Sequence, residues 1–465
     1  MTHSQLAVVG GTVVNDDWSG AATVLVEDGR VTQIAAPDEP LPADVRVVDA
    51  TGRLVLPGGV DPHTHIDMSL GKYTTRDGYR EATTAAVWGG TTTVVDFAIP
   101  QPGVSPLEAV RARRAAPAQG VCDAALHACV VEWDETVPAQ LREIAGLGVR
   151  TVKLFTTYRH AVMADPGTVL RVMRELRGLG GLAYVHAEAN HLVEREQEQA
   201  VEQGRIDAAG HAGTRSGLAE LTAVREVLSS ARSAGAPVYF VHQSTPEAVD
   251  EVRRARREGV VAYTETCPHY LTLDDQNYAG DAPELFVCCP PLRNAGSVAG
   301  VVGRAVAREV DTVGSDHCCY DRSQKLADRD DVRVMPNGLP GVETRLPVIY
   351  TELVSRRHMP VERFVSLISS NPARLNGIYP QKGVIAPGSD ADIILIDPTE
   401  RRTVSAARLH MQTDYSPYEG RELTGWPSTV IVRGTLLLDD GVFAENPAPG
   451  RALVTAPLPQ ERLVC

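Results

Sequence analysis

The chain reads Leu54-Val55-Leu56-Pro57 and, after two glycines, Val60-Asp61-Pro62-His63-Thr64-His65-Ile66-Asp67. The apolar residues predict a strand from Leu54 to Val60, with the two histidines near its end. Side chains alternate between the faces of a strand with period two, so both imidazoles point to the same side. Two histidines on one face can bind one metal ion. A His-x-His pair alone is weak evidence, and its weight depends on the strands that follow.

The composition is that of an ordinary globular protein and argues against several other classes. The 465 residues are 43% hydrophobic and 22% charged, enough for more than one domain or for one large barrel with additions. A net charge of -14 and the lack of a basic tract argue against a nucleic-acid partner. No apolar run approaches the roughly 20 residues that a membrane helix needs, so we expect no membrane partner.

The expected location is the cytoplasm. Met1 to Gln5 lack the basic-then-apolar pattern of an export signal. Eight cysteines occur without a Cys-x-x-Cys pair, so we expect neither a structural zinc knuckle nor a thioredoxin-like site. Without an export signal, we interpret these cysteines as free thiols in a reducing compartment.

Strand-like runs alternate with helical patterns through the middle of the chain. The runs are Leu54 to Val60, Thr91 to Phe97, Ala125 to Val131, Thr151 to Phe155, Leu182 to His186, Pro237 to His242, Val260 to Thr264 and Thr312 to Ser315. Helical candidates such as Gly167 to Leu179 and Pro246 to Glu258 lie between them, the second opened by Ser244 or Thr245 as an N-cap. This alternation predicts an α/β fold, a (β/α)₈ barrel with its active site at the C-terminal ends of the strands. A doubly wound open sheet is the alternative, but no Gly-rich phosphate loop follows the first strand.

Both ends of the chain have a different sequence pattern, in which short strand-like runs are separated by turn residues. Each end is too thin to bury a core alone, so the two are expected to pair into one composite β-sandwich. The predicted organisation is residues 1–56 for the first part of the sandwich, 57–380 for the hydrolase barrel, and 381–465 for the second part of the sandwich and a tail.

Potential ligands stand at the ends of the predicted barrel strands. They are His63, His65, Lys153, His186, His242 and Asp316. Each has a plain alternative, because a single histidine after a strand is often an interior residue, a lysine can reach solvent and an aspartate can cap a helix. Six such coincidences at strand ends are hard to sustain together, so we predict one shared site.

Lys153 is the discriminating residue, because it lies inside an apolar strand. Burial lowers the pKa of a lysine, and the neutral amine can then add carbon dioxide to give a carbamate. A carbamate is an anionic ligand with two oxygens that can bridge two metal ions. One ion would also be held by His63, His65 and Asp316, and the other by the remaining two histidines. Imidazole and carboxylate ligands suit Zn²⁺, and Co²⁺ or Mn²⁺ are alternatives. A hydroxide between two ions is a strong nucleophile near neutral pH.

These residues make the chain resemble the cyclic amidohydrolases of the amidohydrolase superfamily, particularly hydantoinases and dihydropyrimidinases, with allantoinases more distant. The resemblance extends over nearly the whole chain. Its motifs are Pro57-Gly58-Gly59-Val60-Asp61-Pro62-His63-Thr64-His65, Lys153-Leu154-Phe155-Thr156-Thr157-Tyr158, Val185-His186-Ala187-Glu188, Gly314-Ser315-Asp316-His317, Pro336-Asn337-Gly338-Leu339-Pro340-Gly341 and Gly388-Ser389-Asp390-Ala391-Asp392.

The resemblance implies a barrel with a composite sandwich, two metals bridged by carboxylated Lys153, and a homotetramer. Asp316 would be both a ligand and a proton shuttle, taking a proton from the bridging hydroxide and delivering it to the departing nitrogen. Tyr158 would donate its hydroxyl to the developing oxyanion, although a packed loop aromatic is the plain alternative. Cys289 and Asn337 would present main-chain groups to the cyclic imide.

The chain departs from the family pattern at two positions. Cys289 stands where hydantoinases usually have serine, a change that matters little if the contact is made by the backbone. Gln243, after the histidine of strand six, replaces a small apolar residue. The loop from Met68 to Tyr73 is expected to line the pocket for the exocyclic group of the substrate. His317 should turn away from the site or lie behind its ligands, and His269 should be structural or lie behind the ligands.

The predicted activity is opening of a cyclic amide, a hydantoin or a dihydropyrimidine, to an N-carbamoyl amino acid by a metal-bridging hydroxide. The first alternative is a hydrolase of the same fold that acts on allantoin, another amide or imide, a carbamate or a thiocarbamate. The second is a non-catalytic scaffold, which we disfavour because every ligand position is filled.

Overall fold

The computed structural model describes residues 5–459 and 461–464, so Met1 to Ser4, on which the expectation about an export signal rests, lie outside the described residues. The N-terminal part consists of short strands. They are β1 (Gln5–Val9), β2 (Thr12–Val14), β3 (Ser19–Ala21), β4 (Thr23–Glu27), β5 (Arg30–Ala35), β6 (Arg46–Asp49) and β7 (Leu54–Pro57).

The central part is a closed parallel sheet with helices between its strands. Its strands are β8 (Gly59–His65), β11 (Thr91–Ala98), β12 (Asp123–Cys129), β13 (Thr151–Phe155), β14 (Leu182–His186), β15 (Val238–Phe240), β16 (Ala262–Thr266), β17 (Thr312–Val313) and β18 (His317–Cys318), and a small hairpin at the mouth comprises β9 (Ser69–Leu70) and β10 (Tyr73–Thr74). The last two barrel strands are pieces of one eighth strand. β17 pairs with β16 and β18 pairs with β8, so this interrupted strand closes the barrel.

Helices connect the strands and cover the barrel. They are α1 (Tyr79–Trp88), α2 (Pro106–Arg113), α3 (Val137–Gly146), α4 (Pro166–Leu179), α5 (Asn190–Glu202), α6 (Gly217–Ala234), α7 (Pro246–Arg257), α8 (Pro268–Thr272), α9 (Ala295–Val306), α10 (Arg322–Ala327), α11 (Arg345–Ile349), α12 (Val361–Val365) and α13 (Asn371–Leu375). The predicted helices at 167–179 and 246–258 correspond to α4 and α7 within one residue at each end. Within residues 5–459 and 461–464, no helix has the length and apolar character needed to cross a bilayer.

The C-terminal part returns to the strands of the N-terminus. It contributes β19 (Ile393–Ile396), β20 (Arg401–Thr403), β21 (Glu422–Thr424), β22 (Pro427–Val432), β23 (Thr435–Asp439) and β24 (Val442–Phe443). One sheet has the order β5-β4-β1-β6, and the other has the order β24-β23-β22-β19-β7-β2-β3. Leu6 and Val24 of the first sheet share one apolar core with Val55, Ile393 and Ile431 of the second. The predicted barrel with a composite sandwich is confirmed, while the exact domain limits stay predictions.

The predicted first strand, Leu54 to Val60, is wrong as a single barrel strand. The chain changes sheets at Gly58, so that β7 pairs with β19 of the sandwich and only β8 enters the barrel. The Gly58 amide donates to Asp392 O, whereas the next amide donates to Gly90 O. A Cβ at Gly58 would overlap the side chain of Thr92, so only glycine fits at this crossing. The apolar run is continuous because both halves are buried, and periodicity alone does not show the break.

A buried lysine ties the C-terminal segment to the barrel. Lys382 Nζ lies 2.7 Å from Asp123 Oδ2 at the start of β12, 2.8 Å from Asp392 Oδ2 and 3.1 Å from Asp390 Oδ2. Burial alone would lower the pKa of Lys382, but the carboxylates outweigh burial and raise it well above its ordinary value. The amine therefore stays charged and holds three carboxylates that lie on two parts of the fold.

Replacing Lys382 with methionine is expected to destabilise the protein by about 3–5 kcal/mol, because it removes the cation shared by three buried carboxylates. Asp123 and Asp390 keep arginine partners, whereas Asp392 loses its ion pair. Urea unfolding followed by circular dichroism measures the loss. Lys72→Met is the matched control, since Lys72 is exposed and its ion pair with Asp328 is screened by solvent, so little change in stability is expected. Equal losses in the two variants would contradict the role given to Lys382.

Candidate metal centre and its cavity

A cavity of about 520 Å³ lies at the C-terminal ends of the barrel strands. It collects the predicted site residues from separate strands and loops, and those that line it are His65, Lys153, Tyr158, His186, His242, Cys289, Asp316 and Asn337. His63 is fully buried behind this wall. The loop after β8 contributes Met68, Lys72 and Tyr73, as expected for the mouth.

His63, His65 and Asp316 form one compact group. Asp316 Oδ1 lies 3.1 Å from His63 Nε2 and 3.3 Å from His65 Nε2. The ligand atoms of all three lie within 4.8 Å of one another, and all three residues are buried. The period-two spacing along β8 brings the two rings together, and the break in the eighth strand brings the carboxylate to them.

His186 and His242 complete the wall on the other side. Their ring centroids are 4.5 Å apart, and the His242 ring lies 5.4 Å from that of His63. His186 ends β14, whereas His242 stands two residues beyond β15 with a φ of 37°. A positive φ is unusual for a side chain other than glycine and turns the chain out of the strand direction.

Lys153 lies between these groups on β13. Its Nζ is 4.8 Å from the centroid of the Phe97 ring and 4.9 Å from that of Phe155, and the side chain is buried. Burial lowers the pKa of Lys153 to about 8. On the order of a tenth of the amine is therefore neutral near pH 7, far more than for an ordinary lysine, and the neutral amine is the form that reacts with carbon dioxide.

The residues fit divalent metal ions in kind and in charge. Burial lowers the pKa of His65, His186 and His242, so these imidazoles are neutral, the form that binds metals. Burial would raise the pKa of Asp316, but His63 and the other imidazoles outweigh it and hold that pKa well below its usual range. Among the described residues, His65 Nδ1 and His242 Nδ1 are buried without a hydrogen-bond partner. Buried polar atoms are normally paired, so these nitrogens indicate a ligand.

Glu265 lies behind the first histidine and was not predicted. Its Oε1 accepts from His63 Nδ1 at 2.7 Å and from the His242 amide at 2.9 Å, and its Oε2 accepts from the Tyr239 hydroxyl at 2.7 Å. A carboxylate on one ring nitrogen fixes the tautomer and leaves the other nitrogen for a metal. The feature of the sequence that could have indicated Glu265 is a carboxylate at the end of the seventh predicted strand, in Thr264-Glu265-Thr266.

Glu188 has the same relation to His186. Its Oε2 accepts from His186 Nε2 at 2.6 Å and from Arg215 Nη1 at 2.5 Å. Burial would raise the pKa of Glu188, but Arg215 outweighs it and the pKa is lowered to about 2. Glu188 belongs to the quoted motif of strand five, yet its role and that of Arg215 were missed. Arg215 lies in a loop about thirty positions away, where no periodic pattern marks it.

Three predicted substrate-binding residues line the opposite wall. The Tyr158 hydroxyl hydrogen-bonds the Cys289 thiol, and burial raises the pKa of both groups, so each remains protonated. The loops that carry Cys289 and Asn337 are held by Lys325, whose Nζ donates to Val287 O at 2.8 Å and to Pro336 O at 2.9 Å. Lys325 is buried and was also missed.

The remaining histidines lie behind the centre. His317 Nε2 donates to Asp77 Oδ2 at 2.9 Å, and its Nδ1 accepts from the Gly341 amide, so it points away from the cavity. His269 is buried close to Asp316 and Cys267, with their polar atoms within 4.8 Å of one another. Both placements match the expectation for these two residues.

Comparison with known proteins gives one consistent answer. The model of the amidohydrolase family matches residues 54–437. The chain is 39% identical to a D-hydantoinase from Streptomyces coelicolor over 93% of this chain and 94% of the relative. It is 35% identical to a dihydropyrimidinase from Rattus norvegicus over 98% of this chain and 89% of the relative.

Solved structures agree with the sequence relatives. A dihydropyrimidinase from Brevibacillus agri superposes with a TM-score of 0.95 at 34% identity, covering 98% of this chain and 99% of that chain. An L-hydantoinase from Arthrobacter aurescens superposes with a TM-score of 0.90 at 29% identity, covering 97% and 99%. The homotetramer and the cytoplasmic location stay predictions.

Proposed function

Since the chain belongs to the amidohydrolase family, in its hydantoinase and dihydropyrimidinase group, we propose that it opens the ring of a hydantoin or a dihydropyrimidine to an N-carbamoyl amino acid. The observation that carries the proposal is the buried Lys153 amine, which lines the same cavity as His65, His186, His242 and Asp316. The relatives are named as hydantoinases and a dihydropyrimidinase. Which of these two rings this chain opens is part of the proposal.

Two divalent ions fit the donor set of the cavity. One would be held by His63, His65 and Asp316 and the other by His186 and His242, with a carbamate oxygen from Lys153 for each. Zn²⁺ is the expected ion, and Co²⁺ or Mn²⁺ accept the same ligands. When bound, the ions supply an activated water as the nucleophile. The carbamate forms when the neutral Nζ bonds to the carbon of carbon dioxide and releases one proton.

Asp316 is proposed to move the proton that hydrolysis requires. Its ionised carboxylate accepts a proton as the water oxygen bonds to the ring carbonyl carbon. It returns that proton to the amide nitrogen as the carbon–nitrogen bond of the ring breaks. Asp316 lies at the inner end of the cavity beside His63 and His65, close to where the nucleophile must be.

Tyr158 is proposed to stabilise the charge that develops on the carbonyl oxygen. Burial keeps its phenol protonated, so the hydroxyl can donate a hydrogen bond to an oxyanion. Cys289 and Asn337 stand beside it and are proposed to bind the imide through main-chain groups. In this proposal the Tyr158 hydroxyl gives up its contact with the Cys289 thiol and donates a hydrogen bond to the substrate oxygen instead.

Part of the cavity lining is suited to an apolar substituent on the ring. Ile99, Phe155, Val162, Val334 and Met335 line it, and a five- or six-membered ring leaves most of about 520 Å³ unfilled. We therefore expect hydantoins with a bulky apolar group at position 5 to be better substrates than the bare ring, since burying apolar surface favours binding by about 25 cal/mol per Å².

A substrate panel on metal-reconstituted enzyme tests the proposal. It compares hydantoin, 5-phenylhydantoin, dihydrouracil and allantoin, with formation of the N-carbamoyl product followed by chromatography. The expected order is 5-phenylhydantoin above hydantoin, with the chelator-treated enzyme inactive on each. Turnover of allantoin or an acyclic carbamate with none of the hydantoins or dihydrouracil would reject the proposed substrate class.

Lys153→Ala is expected to reduce turnover to background, because the variant cannot form the carbamate. Acetate or propionate should restore part of the activity, since a small carboxylate can occupy the vacated space and supply two oxygens. Initial rates and metal content, measured with and without the acid, check this. Lys153→Arg is the control, as its guanidinium fills the space and stays charged, so no rescue is expected. Full activity of Lys153→Ala without added acid contradicts the bridge.

Asp316→Asn is expected to lower kcat by about 10²–10⁴-fold, the range of a lost acid–base group. The fold should persist, because asparagine keeps the size of the side chain, and near-ultraviolet circular dichroism checks it. Asp330→Asn, at a position 97% exposed, is the matched control and should leave kcat unchanged. A normal rate in Asp316→Asn would refute the proton-transfer role.

A further inference from the structure

Arg215 contacts two parts of the site that lie on different strands. Its Nη1 donates to Glu188 Oε2, and its guanidinium carbon lies 4.7 Å from the centroid of the Tyr158 ring. The same Glu188 oxygen accepts from His186 Nε2 at 2.6 Å. The Tyr158 and His186 rings are themselves 5.5 Å apart. One buried guanidinium thus borders both the oxyanion donor and the support of a metal-facing imidazole.

The contact with Glu188 determines which nitrogen of His186 faces the cavity. Because Nε2 donates to the carboxylate, Nδ1 is the nitrogen left for a ligand. Glu188 is fully buried, and without its contact to Arg215 this carboxylate would be free to turn away from the His186 ring. Arg215 therefore keeps Glu188 in place behind the ring.

The contact with Tyr158 holds a residue whose backbone is strained. Tyr158 has a φ of 68°, a conformation that is strained for a bulky residue and persists only where its surroundings enforce it. The flat guanidinium stacks on the aromatic face, an arrangement that a lysine ammonium cannot reproduce. The ring is in this way fixed with its hydroxyl toward the cavity.

The backbone of Arg215 is held in place by a chain of hydrogen bonds on the side away from the cavity. Its carbonyl oxygen accepts from Arg293 Nη1, and Arg293 Nε donates to Ser244 Oγ at 2.9 Å. The Ser244 amide and hydroxyl both donate to Glu220. This chain of contacts joins the loop before α6 to the loop after β15, so the position of the guanidinium does not depend on a substrate.

We propose that Arg215 is a positioning residue that couples Tyr158 to the metal-facing His186 through Glu188. The inference rests on the proposed function, since Tyr158 and His186 have their roles in that reaction. It predicts that one substitution disturbs metal retention and oxyanion stabilisation together. A merely structural arginine would change stability without linking these two properties.

The test uses the full-length holoenzyme and the variants Arg215→Gln and Arg215→Lys. Metal retained after dialysis against graded chelator is measured by mass spectrometry, independently of activity. We expect the second equivalent of metal to be lost from both variants at about 10–100-fold lower chelator, the usual effect of removing the support of a histidine ligand. Arg363→Lys is the matched control, because Arg363 is also buried but donates to Val310 O and Ser366 far from the cavity.

A double-mutant cycle with Tyr158→Phe provides the second measurement. If Arg215 acts on catalysis through Tyr158, kcat falls more than KM rises, and the combined variant is less impaired than the product of the single effects. Arg363→Lys should lower the unfolding midpoint while keeping both metals and additive kinetics. Should Arg215→Gln fail to fold, Arg215→Lys, which keeps the charge without the planar fork, carries the test.

The outcomes separate this inference from the proposed function. Wild-type metal retention in both Arg215 variants, or strictly additive effects with Tyr158→Phe, would overturn the positioning role. If the wild type turns over no cyclic amide but Arg215→Gln still loses one equivalent of metal, the substrate proposal fails and the support of His186 by Arg215 stands.

Discussion

The site depends on burying a lysine amine where desolvation outweighs the attraction of the nearby carboxylates Asp316 and Glu265. Lysine occurs only four times in the chain, and Lys153, Lys325 and Lys382 are buried. Lys382 keeps its charge because three aspartates surround it, whereas burial lowers the pKa of Lys153 and Lys325 to about 8. Desolvation of an amine is unfavourable, so a fold that maintains it against aromatic rings does so for a function. The neutral Lys153 amine is the group on which the proposed metal bridge is built.

Much of the fold, and the identity of the metal-facing side chains, can be predicted from the sequence, because periodicity and strand ends are local properties. His63 and His65 share a face by alternation, and parallel strands bring the other ligands to one mouth. The change of sheets at Gly58 could not be predicted, since both halves of that apolar run are buried and only tertiary packing against Thr92 distinguishes them. Strand limits elsewhere differ by a few residues, where hydrogen bonding rather than hydrophobicity decides.

The supporting residues were harder to predict, for a physical reason. Glu188, Glu265 and Arg215 are charged, and in a sequence a buried charge resembles an exposed one until its partner is known. The scarcity of lysine is itself a signal in this sequence, because positive surface charge is carried by arginine. A lysine in such a sequence indicates a position where an amine, rather than a guanidinium, is required. This reading applies to Lys325, which holds the loops of Cys289 and Asn337.

Strain and support occur together around the cavity. His242, Asp316 and Tyr158 have φ values of 37°, 50° and 68°, because a strand end must turn sharply to aim a side chain into the barrel mouth. Each is held by a charged or polar neighbour: Glu265 accepts from the His242 amide, Asp61 accepts from the amide that precedes Asp316, and Arg215 stacks on Tyr158. These contacts form within the protein alone. The strained positions that aim these side chains into the cavity are therefore supported by contacts that the chain makes with itself.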